Sequence, residues 1–258
     1  MNLFTEMFFL TLASGVLVAA ASGLIGSFLV LRKMTLLSDA LSHVALPGIA
    51  LGVVLKFQPI LGGVAFLFLG IFLISQIENK TKLAVESITG VLFVTALAVG
   101  ALLIPQQELL EAFFGNVQNI SLPQILLQSA IALFIIILTL KNLKKFTLVS
   151  IAPDLAATAK ISPKKVQFLL LALIAFTIAV GISFVGILLM SALSIIPAVT
   201  ARNLSKNFKA FLLLSVILAV FSLTAGLLIS KFWPINPGIA TVLVSAGFFV
   251  VSLFMRRK

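Results

Sequence analysis

The amino-acid sequence predicts an all-α, polytopic integral membrane protein with about eight or nine transmembrane helices. Of its 258 residues, 61% are hydrophobic and only 10% are charged. Apolar runs of about 20 residues, the length that crosses a bilayer as a helix, recur along the whole chain. A soluble domain needs a charged surface that this composition does not supply. We therefore expect residues 1–258 to form a single domain embedded in the lipid bilayer.

Nine spans can be drawn along the chain from the positions of the apolar runs. In order, they are residues 8–31, 34–56, 58–77, 84–104, 123–141, 164–182, 186–201, 210–231 and 236–255. Gly48 and Gly52 in the second span stand at i and i+4, which favours close helix packing. Residues 164–201 admit a second interpretation, because one long helix broken near Ser183–Gly186 would leave eight spans.

Basic residues are confined to short loops between the apolar runs, and their distribution predicts the orientation of the chain. With the N-terminus outside, the cytoplasmic side receives Arg32, Lys33, Lys80, Lys82, Lys141, Lys144, Lys145, Lys160, Lys164, Lys165, Arg202, Lys206, Lys209, Arg256, Arg257 and Lys258. The outside receives only Lys56 and Lys231. We expect a multi-pass protein of the cell (inner or plasma) membrane with a cytoplasmic C-terminus. This asymmetry accounts for the net charge of +11, so no nucleic-acid partner is expected.

The second span carries an acid and the only histidine of the chain. Asp39 and His43 stand at i and i+4, so their side chains share one face of a helix. A charged group at the centre of a spanning helix costs about 2.5–3.5 kcal/mol on insertion scales, and such groups are functional candidates by default. Carboxylate oxygen and imidazole nitrogen are common ligands of zinc and neighbouring metals. The pair therefore predicts a site for a transported divalent metal ion, with no permanently bound cofactor.

Other interpretations of this pair stay open at the level of sequence. Asp39 and His43 could bind each other and Ser42 and serve only to fix helix packing. They could form the acid/base pair of a membrane-embedded enzyme, although no nucleophile accompanies them. A permease for chelated iron or another bulky ligand would need a wider and less charged route. Imidazole favours zinc, whereas carboxylates also accept manganese. Because the chain has no cysteine, thiolate metal sites are excluded.

Residues 106–117 form an acidic interval that falls outside the membrane in this topology. They are expected to be a solvated loop with a short amphipathic piece. Alternatively, Glu108 and Glu111 attract cations to the mouth of a transport path.

The longest cytoplasmic interval contains a segment of about residues 150–163 that is typical of a short helix. Its first residues are Pro153, Asp154, Leu155 and Ala156, with proline at the start and an acid in the first turn. The chain has no phosphate-binding G-x-x-x-x-G-K-[ST] loop, so it carries no ATPase motif of its own. We expect a transporter subunit that is not itself an enzyme, and any motor must come from a partner or an ion gradient.

Three blocks of the sequence carry a family resemblance. The first is residues 38–48, SDALSHVALPG, preceded by LRKM at 31–34. The second is FVGILL at 184–189 followed by IIPAVTAR at 195–202, and the third is PDLA at 153–156. Together they resemble the zinc/manganese branch of the ATP-binding-cassette import permeases. The blocks occur in the order of that family, and the similarity covers nearly the whole chain.

The resemblance implies a homodimeric permease with two ATPase subunits on its cytoplasmic face and an extracytoplasmic metal-binding protein that delivers the ion. It also implies that Asp39 and His43 line the translocation pathway and that the segment around Asp154 contacts the ATPase. Transport would then proceed by alternating access. Two positions depart from the family pattern. Lys160 stands where a glycine is usual, and FWPINPG at 232–238 lacks an acid often found before the last span.

Overall fold

The protein, represented by a computed structural model, is described over residues 3–81, 83–103 and 121–255. These residues form eleven helices and, within those ranges, no strand. The helices are α1 (Leu3–Leu31), α2 (Thr35–Val54), α3 (Pro59–Thr81), α4 (Val85–Leu103), α5 (Leu122–Lys141), α6 (Leu143–Ile151), α7 (Pro153–Thr158), α8 (Pro163–Val185), α9 (Ile187–Leu204), α10 (Phe208–Phe232) and α11 (Pro237–Phe254). The acidic interval 106–117 lies outside the described residues.

The helices match the spans expected from hydropathy. Eight of them, α1 to α5, α8, α10 and α11, are long and apolar enough to cross a membrane. The apolar run of α9, Leu189–Leu204, is shorter. Each of the nine predicted spans coincides with one of these helices, while α6 and α7 are short and lie between spans. The prediction of an all-α, polytopic membrane protein is confirmed.

The chain reverses direction between α8 and α9. Near the start of α8, Gln167 is hydrogen-bonded to Arg32, which directly follows α1. Near the end of α9, Arg202 donates to the carbonyl of Val30 (3.4 Å), so both ends lie at the Leu31 end of α1. The turn is at Gly186, whose φ of 79° and ψ of 172° belong to a region that only glycine adopts readily. Residues 164–201 are therefore two antiparallel helices and not one broken helix.

Charged residues segregate to opposite ends of the bundle. Arg32 and Arg202 lie at the Leu31 end of α1, which we call the basic end. Lys231, near the end of α10, places its Nζ 4.3 Å above the ring centroid of Phe8, near the start of α1. Lys231 is therefore at the opposite end from Arg32 and Arg202, as the charge distribution predicts. The assignment of the basic end to the cytoplasm stays a prediction from the charge rule.

Small residues set the closest helix contacts, as the sequence predicts. A β-carbon built at Gly26 of α1 would overlap the backbone carbonyl oxygen of Ser194 in α9. A β-carbon at Gly48 of α2 would overlap the carbonyl oxygen of Gly62 in α3, and the reverse is also true. Larger side chains at these points would force the helices apart. These contacts fix α1 against α9 and α2 against α3 at short range.

Candidate metal site and coupling segment

Asp39 and His43 lie on one face of α2, as their spacing predicts. Nε2 of His43 is 4.0 Å from Oδ1 of Asp39, which is too long for a hydrogen bond. Two ligand atoms on one tetrahedral zinc, with bonds of about 2.0–2.2 Å, lie about 3.3–3.6 Å apart. The two side chains therefore need to approach by only a few tenths of an ångström to bind one ion.

The two members of this pair differ in exposure. The side chain of His43 is 7% exposed and that of Asp39 is 42% exposed. Of the candidate spans, α2 is the most enclosed, with 72% of its apolar window buried. The carboxylate is therefore the accessible group of the pair, and the imidazole lies behind it in the bundle.

His43 is held by packing. Its ring forms a T-shaped pair with that of Phe93 from α4, with centroids 4.9 Å apart and planes at 73°. Its Nδ1 is buried and has no hydrogen-bond partner among the described residues. Pro47, one turn further along α2, has no N–H to donate to the carbonyl of His43. The neighbourhood thus fixes the ring position and leaves Nδ1 without a hydrogen-bond partner among the described residues.

Asp39 has a partner that the sequence does not reveal. The hydroxyl of Ser191, in α9, donates to Oδ1 of Asp39 over 2.9 Å. A lone serine in an apolar run gives no local signal, because it usually bonds a carbonyl of its own helix. Ser42 follows this usual pattern, because its hydroxyl donates to the carbonyl of Ser38 in its own helix (2.9 Å). Its hydroxyl is not hydrogen-bonded to Asp39 or His43, contrary to the packing interpretation. The contacts at the pair therefore come from α9 and not from Ser42.

Among the described residues, no third His, Cys, Asp or Glu side chain joins Asp39 and His43 to form a larger metal site. Within the ranges that the structure describes, no group of three or more His, Cys, Asp or Glu side chains could hold an ion. One apolar cavity of about 130 Å³ lies nearby between α2, α3 and α4, where it touches Val44 and Pro47. Its apolar lining suits no metal ion. The candidate site consequently offers one carboxylate and one imidazole, with Ser191 beside them.

The segment predicted to contact a partner forms an exposed short helix. In α7, Pro153 is the first helical residue and Asp154 lies in the first turn. Asp154 is exposed and Leu155 is 62% exposed, whereas Ala156 is fully buried. An apolar side chain beside an acid on a surface turn gives this helix a face that a partner could bind.

The end of α7 keeps glycine-type geometry although Lys160 replaces the glycine. Lys160 has a φ of 60°, in the left-handed region. Its N–H donates to Ala157 (3.1 Å), and the N–H of Ile161 donates to Ala156 (2.9 Å), which is the Schellman pattern. The departure from the family pattern therefore changes the residue and leaves the helix end intact.

A hydrogen-bonded chain at the basic end joins α8, α3 and the turn between α1 and α2. Nε2 of Gln167 donates to both carboxylate oxygens of Glu78 (3.0 Å each), and its Oε1 accepts from Arg32 (3.2 Å). Burial lowers the pKa of the Arg32 guanidinium, and the charge of Glu78 opposes that shift. Gln167 lies in α8, the first long helix after α7, and Arg32 lies just before α2. We call these three residues the Arg32–Gln167–Glu78 bridge.

The chain is similar to known membrane transport proteins over nearly its whole length. The profile of the ABC 3 transport family matches residues 5–256. The high-affinity zinc uptake system membrane protein ZnuB of Haemophilus influenzae is 30% identical, over 98% of this chain and 99% of that protein. The manganese transport system membrane protein MntC of Halalkalibacterium halodurans is 28% identical, over 96% and 86%. The solved structure of PsaBC from Streptococcus pneumoniae in complex with Fab superposes with a TM-score of 0.85 at 26% identity, covering 96% of this chain and 91% of that one.

Proposed function

Because this chain belongs to the ABC 3 transport family of metal permeases, we propose that it is the membrane-spanning subunit of an ATP-driven importer of divalent metal ions, with zinc as the preferred cargo. The observation that carries this proposal is the placement of Asp39 and His43 on one face of α2, 4.0 Å apart. That placement would offer a passing ion one oxygen and one nitrogen ligand inside the membrane.

Asp39 supplies negative charge and oxygen to the passing ion, and neutral His43 supplies nitrogen. The Asp39 carboxylate is half-exposed within an apolar span, and exposing a carboxylate to lipid costs free energy. We therefore infer that it faces a water-filled or protein-lined path. Two ligands are too few for the closed, four-coordinate sites that hold structural zinc. A site with few ligands suits transport, because an ion that enters must also leave.

Zinc is proposed ahead of manganese because imidazole is half of the ligand set. Manganese prefers oxygen ligands, and only Asp39 offers a carboxylate here. The relatives of this chain bear names for zinc, manganese and iron transport, so the choice of cargo depends on the chemistry of the pair.

The energy for transport is proposed to come from a separate ATPase subunit on the cytoplasmic face. The sequence carries no phosphate-binding loop of its own. Asp154 and Leu155 in α7 are exposed at the surface and would form the contact with that subunit. ATP binding and hydrolysis would move α7, and the spans would rock between states open to one side and then the other.

The complete transporter is proposed to contain two copies of this chain, two ATPase subunits and an extracytoplasmic metal-binding protein. Its function is tested by measuring uptake of radioactive zinc into vesicles that hold all of these subunits, with unlabelled competitors in excess. We expect unlabelled zinc to compete more strongly than manganese or iron. Stronger competition by manganese would reassign the cargo, and ATP-independent uptake would contradict an ATP-driven mechanism.

A further inference from the structure

The contact between α9 and Asp39 points to a role for a residue outside the metal ligands. Oγ of Ser191 lies 2.9 Å from Oδ1 of Asp39, and Ser191 is only 8% exposed. Most other hydroxyl groups in the spans donate to a carbonyl of their own helix, as Ser42 and Thr139 do. Ser191 instead donates a hydrogen bond across the interface between α9 and α2 to Asp39, the accessible member of the polar pair.

This hydrogen bond restricts where the carboxylate can point. Oδ1 is held toward α9, at 4.0 Å from Nε2 of His43. Hydrogen bonds to a carboxylate are stronger than those between neutral groups. The bond from Ser191 therefore favours one side-chain rotamer of Asp39. Without it, Asp39 could turn toward His43 one turn along and close a direct pair. The serine therefore keeps Oδ1 of Asp39 from closing a direct hydrogen bond with His43.

The backbone brings Ser191 to this place by the reversal at Gly186. Because Gly186 adopts a conformation reserved for glycine, α9 starts at once and runs back along the bundle. Ile187, its first residue, packs with Leu46 and Ala50 of α2. Ser191, one turn later, faces Asp39. The sequence block around Gly186 thus has the structural consequence of presenting a hydroxyl to the carboxylate.

We propose that Ser191 is a positioning residue that holds Asp39 in the orientation that receives the metal ion, and so raises the affinity of the membrane site. This inference rests on the proposed function, because it assumes that Asp39 binds the ion. It assigns no ligand bond to Ser191, whose effect is exerted through the carboxylate.

The test compares threonine and valine at this position, which share a shape and differ in the hydroxyl group. The permease is purified with its ATPase subunit, and binding of zinc alone is measured by calorimetric titration. We expect Ser191→Thr to bind zinc within about twofold of the unaltered protein, and Ser191→Val to bind it about tenfold more weakly, because a hydrogen bond to a charged group is lost. Equal affinities for the two variants would overturn the proposal.

Two controls separate this inference from the function on which it depends. Ser194→Ala removes a hydroxyl one turn away whose partner is the carbonyl of Met190 (3.5 Å), and it should leave zinc binding unchanged. The midpoint of thermal unfolding without metal should agree among all variants, since packing is preserved. A large drop for Ser191→Val would make the role structural and overturn the proposal. Zinc binding by Asp39→Ala equal to that of the unaltered protein would instead refute the metal path itself.

Discussion

Nε2 of His43 and Oδ1 of Asp39 lie 4.0 Å apart on successive turns of α2, within a few tenths of an ångström of the separation that one zinc ion needs and too far apart to hydrogen-bond to each other. The packing interpretation requires a direct bond within the pair or a contact with Ser42. The structure instead gives Asp39 a hydrogen bond from Ser191 and gives Ser42 a bond to its own helix. These contacts leave one face of the pair available to a third group, as the metal-path hypothesis requires.

The first prediction concerns the Arg32–Gln167–Glu78 bridge. Gln167→Leu removes the amide that joins the guanidinium to the carboxylate, and it leaves both charges partly buried without their mutual partner. We expect a loss of about 1–3 kcal/mol in stability, or about 2–4 °C in the unfolding midpoint per kcal/mol. The midpoint of the purified protein, followed by intrinsic fluorescence during heating, measures this effect.

Asn79→Ala is the matched control for the bridge. Asn79 is exposed beside Glu78, and its amide donates to the carbonyl of Ser75 in its own helix. This substitution should leave the midpoint within the scatter of the measurement. An unchanged midpoint for Gln167→Leu as well would mean that the bridge does not stabilise the bundle.

The second prediction concerns the contact between α7 and the proposed ATPase. Asp154→Lys reverses a charge, and Leu155→Glu replaces an apolar side chain by a charged one. Both side chains are exposed, so the core packing is not altered. We expect each to weaken the retention of the ATPase subunit during purification by at least about tenfold, as for residues that dominate an interface. Pull-down of the ATPase by tagged permease measures this retention.

Lys209→Ala tests whether charge changes elsewhere at the basic end have the same effect. Lys209 is exposed in α10, a helix that makes no close packing with α7. Its replacement should leave retention unchanged. Full retention by both α7 variants would show that the ATPase binds elsewhere.

The third prediction follows from the left-handed conformation of Lys160. Because a residue with a β-carbon pays about 1 kcal/mol in this region, Lys160→Gly should stabilise the protein by about that amount. The unfolding midpoint should then rise by about 2–4 °C.

Lys145→Gly provides the contrasting case for this helix-end effect. Lys145 is exposed inside α6, where glycine costs about 1 kcal/mol relative to good helix formers. Its midpoint should fall while that of Lys160→Gly rises. A fall for both variants would contradict the assignment of strain to position 160.

Much of the fold could be predicted from the chain because the membrane imposes simple rules. Hydropathy places the apolar segments that become helices, and the i, i+4 spacing alone puts Asp39 and His43 on one face of a helix. The basic residues predict which helix ends lie together. The reversal near Gly186 has two interpretations in the sequence, because hydropathy does not distinguish a kink from a turn.

The remaining features depend on contacts that leave no local pattern. Ser191 stands 152 positions from Asp39, and nothing in the apolar run around it indicates a partner. Gln167 and Glu78 are ordinary residues of helix ends until α3 and α8 are brought side by side. Lys160 adopts the left-handed backbone conformation that a glycine in the sequence would have predicted. In each case tertiary packing, and not periodicity, decides the role.

The central claim is that Asp39 and His43 lie on the path of the metal ion. Its most direct test is ATP-dependent uptake of radioactive zinc into vesicles containing the permease, the ATPase and the binding protein. Asp39→Ala and His43→Ala should each reduce uptake to background with normal membrane insertion, whereas Ser42→Ala should transport normally. Normal uptake by a well-expressed Asp39→Ala or His43→Ala variant would contradict the claim and remove that residue from the path.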